Sequence, residues 1–183
     1  MKFESTPVEG CYIVEPEPRG DERGFFARIF DSDTFRQKGL ADRFVQFNNS
    51  MSVEAGTLRG LHYQVAPAGE AKLVRCTAGA IFDVAVDLRK DSPTFGQWAG
   101  AEVTAANRRL FYAPVGCAHG FMTLEPRTEV VYFTSALYSG GDERGLRWDD
   151  PKFGIRWPRT PAVLSDKDRN ARDYDPVRNA SGY

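Results

Sequence analysis

Ile81-Phe82-Asp83-Val84-Ala85-Val86-Asp87-Leu88 alternates over its whole length and defines two faces. In an extended chain successive side chains point to opposite sides. Ile81, Asp83, Ala85 and Asp87 therefore share one face, and Phe82, Val84, Val86 and Leu88 share the other. One face packs a core and the other carries two carboxylates, which fits the wall of a barrel with a polar mouth or lumen. Similar signals lie on both sides of this stretch. Cys11–Glu15, Phe25–Phe30, Phe44–Asn48, Leu73–Cys76, Arg109–Tyr112, Gly120–Leu124 and Val130–Phe133 are short and rich in β-branched and aromatic residues, with Gly, Pro, Asn and Asp between them. Helix signals are confined to Asp31–Gly39, with an acidic start and a Gly stop, and to Ser165–Asn170. Many close strands and few helices predict an all-β closed antiparallel barrel or jelly roll with a few short helices.

Composition narrows the class of function. At 183 residues one domain spanning 1–183 is expected, with the polar, proline-bearing segment from Asp142 to the end wrapped on the barrel. Hydrophobic residues make up 42% and charged residues 27%, as in an ordinary globular protein. Lys+Arg number 24 against 25 Asp+Glu, a net charge of -1, which gives no bulk reason to expect nucleic acid or an anionic membrane as partner. No apolar run has the length of a spanning helix and the N-terminus lacks a signal core, so cytoplasm is the expected location. Cys11, Cys76 and Cys117 are far apart and form no C-x-x-C pair; they are expected as buried small hydrophobes. The only histidines, His62 and His119, lie in Leu58-Arg59-Gly60-Leu61-His62-Tyr63-Gln64 and Ala118-His119-Gly120-Phe121. Histidine titrates near neutral pH, so proton transfer or phosphate binding is sought there first.

Several motifs in order resemble the dTDP-4-dehydrorhamnose 3,5-epimerase family, sugar-nucleotide epimerases with a double-stranded β-helix (cupin) jelly-roll fold. They are Asp21-Glu22-Arg23-Gly24-Phe25-Phe26, Gln46-Phe47-Asn48-Asn49-Ser50, Gly56 to Gln64, Ala71-Lys72-Leu73-Val74-Arg75-Cys76, Phe82 to Arg89, Ser92-Pro93-Thr94-Phe95-Gly96, Pro114 to Phe121 and Ser165-Asp166-Lys167-Asp168. The resemblance runs from about Gly20 to about Asp168. It implies epimerisation at C3, C5 or both of a nucleoside-diphosphate 4-keto-6-deoxy sugar, with no cofactor and no metal. It also implies a homodimer, and a product that feeds deoxysugar building for surface polysaccharide or a glycosylated metabolite.

Epimerisation beside a ketone needs a base on one face of the carbon, an acid on the other, and donors that hold the enolate between them. The resemblance assigns His62 as base, Tyr132 as acid, Asp168 as the carboxylate partner of the base, and Lys72 and Arg59 as cations near the keto oxygen and the diphosphate. Asp83, on the polar face of its strand, is a rival for orienting the base. Arg23 and His119 are assigned to phosphate or base binding, Phe26 to substrate contact and Tyr138 to stacking on the nucleobase. Gln46, Asn48, Glu143 and Lys167 match further nucleotide or sugar positions. Simple alternation sends Arg59 and His62 to opposite faces unless Gly60 introduces a bulge; the resemblance alone puts both in one pocket. One position departs from the family. Where members that bind thymidine commonly carry Glu, this chain has Arg28. A guanidinium only donates hydrogen bonds, which suits a base presenting acceptors, such as cytosine or guanine; alternatively Arg28 turns toward phosphate or solvent and thymine still binds.

Two other classes remain. A metal-dependent cupin usually needs two or three histidines plus a carboxylate, often as His-x-His, and this chain has no such motif. A non-catalytic sugar-binding module would not need a base, an acid and an orienting carboxylate together.

Overall fold

The computed structural model describes residues 1–183. Its elements in chain order are β1 (Lys2–Ser5), β2 (Tyr12–Glu15), β3 (Arg19–Asp21), β4 (Gly24–Phe26), α1 (Ser32–Gln37), β5 (Gln46–Ser52), β6 (Leu58–Gln64), β7 (Lys72–Ala78), β8 (Ala80–Asp87), β9 (Trp98–Thr104), β10 (Leu110–Ala113), β11 (Cys117–Thr123), β12 (Thr128–Thr134), β13 (Glu143–Gly145) and α2 (Asp166–Arg169). Two antiparallel sheets carry the fold. One has the order β1-β2-β10-β7-β12-β5 and the other β13-β6-β11-β8-β9; β3 and β4 pair only with each other. Neighbours distant in sequence, such as β7 with β12 and β6 with β11, make this the expected jelly roll. No helix is long and apolar enough to cross a membrane.

The alternation of β8 now has a physical meaning. Ile81 and Ala85 join Val74, Cys76, Phe111, Phe121 and Val130 in the core between the sheets. Val84, Val86 and Leu88 face the other way, where Leu146, Phe153, Trp157 and Tyr174 from the C-terminal segment cover them. Both faces of the strand are thus buried. The outer face of the first sheet is covered likewise, by Phe35 of α1 with Phe30 and Phe44. That packing explains a correction: the strand expected over Phe25–Phe30 stops at Phe26. Phe30 turns in to meet Phe35 edge-on at 4.9 Å, and Asp31 caps α1 by accepting from Thr34 N–H at 3.0 Å. Strand β9 was not expected from its Ala and Gly content. Those small residues are needed: a Cβ on Gly100 would lie 2.5 Å from Phe82 Cζ.

Asp87, fully buried, ties the barrel's end. It accepts from Arg89 Nε at 2.9 Å and from the hydroxyls of Ser92 at 2.5 Å and Thr94 at 2.6 Å. Burial would raise its carboxyl, but these donors outweigh burial and hold it below the usual carboxylate range. A folded-state value below the unfolded one means that the stabilisation is present above the unfolded pKa, about 3.9, and is lost as pH falls below it. Replacing Asp87 with Ala is expected to cost on the order of 3 kcal/mol at pH 7, because the Arg89 guanidinium loses its buried partner. Urea unfolding at pH 7 and below pH 4 checks this: the gap between variant and parent should shrink in acid.

Candidate active site

A cavity of about 460 Å³ opens between the two sheets. From the second sheet come Arg59 and His62 of β6 and His119 and Phe121 of β11. From the first come Ser50 of β5, Lys72 of β7 and Tyr132 of β12, and Val163, Leu164, Ser165 and Asp168 close one side. Imidazole and phenol therefore line one space from opposing sheets.

The β6 segment settles the question of faces. His62 pairs with His119 and Arg59 with Phe121, so the step from Arg59 to His62 opposes one residue fewer on β11. The extra residue is a bulge at Gly60, and it turns Arg59 to the same face as His62. Gly60 has φ +118, and a Cβ there would lie 2.6 Å from Gly120 Cα and 2.7 Å from His119 O. No other residue fits both the conformation and the space.

Asp168 reaches the site through the C-terminal segment. Leu58 N–H donates to Val163 O at 3.0 Å and Ala162 N–H to Gly56 O at 2.9 Å, which pins that segment to the start of β6. Ser165 then caps α2, and Asp168 on its first turn accepts from His62 Nε2 at 2.6 Å. Burial would raise the Asp168 carboxyl. The His62 hydrogen bond and charge, with help from Ser165 and the Gly60 N–H, more than offset this and lower it. An ionised carboxylate on Nε2 places the neutral ring's proton there and leaves Nδ1 as the nitrogen that can accept a proton. Asp83 does not take this role, correcting the rival assignment. It accepts instead from His119 Nε2 at 2.6 Å. His119 is paired with Ala85 across β11 and β8, so Asp83 is its diagonal neighbour on the inner face, whereas His62 lies one strand further away.

Tyr132 sits opposite Val74 and Asn48 on the inner face of the first sheet. Burial, and then the charge of Glu70, push its phenol above the ordinary value, while Arg59 opposes them; it stays protonated at neutral pH. Lys72 Nζ lies 2.7 Å from Glu70 Oε1 and 3.5 Å from His62 O. Arg59 donates to Ser52 Oγ at 3.2 Å and Met51 O at 3.3 Å. The Ser50 hydroxyl is buried and has no protein partner.

A second group forms the rim. Tyr138 N–H donates to Gln46 Oε1 at 2.8 Å, Tyr138 hydroxyl donates to Glu143 Oε2 at 2.9 Å, and Lys167 Nζ lies 2.7 Å from the same oxygen. Gly145, two residues after Glu143, is opposite His62, and Lys167 precedes Asp168, so this chain of contacts abuts the cavity. Asn48 stands opposite Tyr132 across the β5–β12 ladder.

Arg23, Phe26 and Arg28 are not brought to the cavity, contrary to the expectation for substrate-binding residues. They belong to the β3–β4 hairpin and its exit, which pair with neither large sheet. Arg23 is exposed and bonded to Asp21. Phe26 and Arg28 border a separate hollow with Met1, Glu17 and Thr34, and Arg28 Nη1 lies 3.3 Å from Asp31 Oδ2. Sequence reasoning missed Glu70, Ser50, Thr57 and Ser165. Only Glu70 left a signal: it stands two residues before Lys72, the spacing that keeps extended residues on one side. No group of three or more His, Cys, Asp or Glu side chains is placed to hold a metal ion.

Known proteins resemble this chain over most of its length. The sequence model described as dTDP-4-dehydrorhamnose 3,5-epimerase matches residues 5–175. A dTDP-4-dehydrorhamnose 3,5-epimerase of Sinorhizobium fredii is 48% identical over 170 residues, covering 92% of this chain and 87% of the relative. A solved dTDP-4-dehydrorhamnose 3,5-epimerase from Elizabethkingia anophelis superposes with a TM-score of 0.93 at 40% identity, over 97% of this chain and 98% of that one. The dTDP-6-deoxy-D-glucose-3,5-epimerase of Legionella pneumophila, solved with dTDP-4-keto-L-rhamnose, gives 0.87 at 41% identity, over 94% and 92%. On these matches, and with the cupin jelly roll they share, the chain belongs to the dTDP-4-dehydrorhamnose 3,5-epimerase family of sugar-nucleotide epimerases.

Proposed function

We propose that this chain epimerises C3, C5 or both of a nucleoside-diphosphate 4-keto-6-deoxy sugar, by default dTDP-4-dehydro-6-deoxyglucose to dTDP-4-dehydrorhamnose. The observation that carries this reading is the pair His62 and Tyr132, which line one cavity from opposite sheets, with the imidazole oriented by Asp168. His62 Nδ1 takes the proton beside the ketone and the electron pair moves onto the keto oxygen. Lys72 and Arg59 hold the resulting enolate and the diphosphate. Tyr132 returns a proton to the carbon from the opposite face, and its phenolate regains one from solvent. Gln46, Asn48, Tyr138, Glu143 and Lys167 form the nucleotide end, and His119 with its Asp83 partner serves the diphosphate. The default nucleotide is dTDP, the one in the relatives' names. Arg28, 3.3 Å from Asp31 Oδ2 and largely exposed, keeps free donors for a base that presents acceptors, so CDP- and GDP-linked sugars stand as the alternative substrates.

We also propose that residues 1–183 form one domain that works as a homodimer. Phe47 and Met51 stand exposed on the outer face of the edge strand β5, and Phe25 and Phe26 on the hairpin, an apolar surface suited to a second copy. In a dimer the hairpin would carry Arg23, Phe26 and Arg28 to the other subunit's cavity. Sedimentation tests the dimer; a monomer at micromolar concentration rules it out.

NMR of dTDP-, CDP- and GDP-4-keto sugars with the protein in heavy water tests the reaction. Deuterium entering C3 or C5 with inversion supports it, and the position labelled tells single from double epimerisation. Ligand binding without any label would make the chain a binding module.

A further inference from the structure

Each basic side chain lining the cavity but one has a carboxylate partner. His62 has Asp168, His119 has Asp83 and Lys72 has Glu70, whereas Arg59 bonds only a hydroxyl and a carbonyl. The first two pairs support rings. The third is different: Glu70 stands behind Lys72, outside the cavity lining, with a side chain only 9% exposed. Its segment is held on both sides. Gly69 N–H donates to the Tyr183 hydroxyl at 2.9 Å, and Ala71 N–H donates to Ser135 Oγ at 2.8 Å while its carbonyl accepts from Ser135 N–H at 3.0 Å. Lys72 lies opposite Thr134 and Val74 opposite Tyr132, so Lys72 and Tyr132 are diagonal neighbours on the inner face.

We propose that Glu70 is a positioning residue for the reaction proposed above, on which this inference rests: its carboxylate fixes the Lys72 ammonium on the cavity wall, so that Lys72 meets the keto oxygen as a placed donor while Arg59 alone offers unpaired charge to the diphosphate. A free ammonium on a four-carbon stem would swing to the strongest anion present, and in a bound sugar nucleotide that is the diphosphate. Pairing with Glu70 removes that attraction and keeps sugar and diphosphate at their own ends of the site.

Glu70 also acts on the acid. The groups around Tyr132 are Arg59 and His62 from β6, Lys72 and Glu70 from β7 and the segment before it, His119 of β11 backed by Asp83 of β8, Asp168 of α2 and Glu143 of β13; from β5 come the uncharged Asn48 and Ser50. After burial, Glu70 is the strongest influence keeping the phenol protonated. Neutralising it removes that influence and favours the phenolate.

The test is Glu70→Gln beside Glu70→Asp, with the parent protein measured on a sugar nucleotide that it epimerises. Glu70→Gln is expected to lower kcat by about 10- to 100-fold, as misplacement of a catalytic donor does, with KM little changed. The basic limb of its kcat–pH profile should move to lower pH, because the phenol loses the Glu70 charge that raises it. Glu70→Asp should lower kcat and leave that limb in place. A Glu70→Gln variant whose basic limb does not move overturns the proposal, whether or not its rate falls. Should that variant not fold, an unchanged kcat in Glu70→Asp overturns it. A parent protein that epimerises none of the sugars overturns the proposed function itself, a result seen before any variant is made.

Discussion

A His62→Asn variant is expected to lose roughly 10²–10⁴-fold in kcat, the usual contribution of one general base. The substitution is chosen for what it keeps. The carboxamide keeps a polar group in the near half of the ring's place, and Asp168, whose side chain is only 5% exposed, retains the Gly60 N–H as a donor. What disappears is a nitrogen able to accept a proton, since an amide has no such lone pair. Nucleotide binding should survive, because Tyr138, Glu143 and Lys167 are untouched at the rim. Label uptake from heavy water should vanish at every carbon that the parent protein labels, C3, C5 or both, since His62 is the base proposed for each. Uptake at the parent rate would assign the base elsewhere, and the cavity offers His119 as the next candidate.

The extent to which these roles were legible in sequence follows from the distance each argument had to span. Strand β8 announced itself through eight residues of alternation, and its neighbours through β-branched and aromatic content. Strand β9 was hidden because its job is to make room for Phe82, which selects Gly and Ala against β-propensity. The His62–Asp168 pair joins residues 106 apart. Nothing local in Asp166-Lys167-Asp168-Arg169 distinguishes a buried catalytic carboxylate from a solvated one; only the pinning of Ala162 and Val163 beside β6 does. The Arg59–His62 relation failed for a sharper reason. Alternation is a rule of parity, and one extra residue at Gly60 inverts it. Asp83 illustrates the opposite error. Its face was read correctly, but the choice between two histidines needed the strand order, which places β11 between β8 and β6. The hairpin residues Arg23, Phe26 and Arg28 resembled a substrate site in sequence and yet lie outside this chain's cavity, an outcome that no pattern within one chain records.

A Tyr132→Phe variant separates the two halves of the reaction. Phenylalanine keeps the ring, and with it the packing against the core between the sheets, so stability should change little. Only the proton donor is lost. His62 and Asp168 remain able to remove the proton beside the ketone, and Lys72 and Arg59 remain to hold the enolate. The intermediate then has one proton source, the imidazolium that formed it, on the face from which the proton left. Formation of inverted product is expected to fall roughly 10²–10⁴-fold, while deuterium continues to wash into the sugar with retained configuration through exchange of the imidazolium with solvent. His62→Asn loses label and inversion together; Tyr132→Phe loses inversion alone. NMR of the labelled sugar reads both quantities from one sample. Were label and inversion to fall in step in Tyr132→Phe, the phenol would be needed for enolate formation itself, and the division of labour across the cavity would have to be redrawn with Tyr132 on the keto oxygen rather than on the carbon.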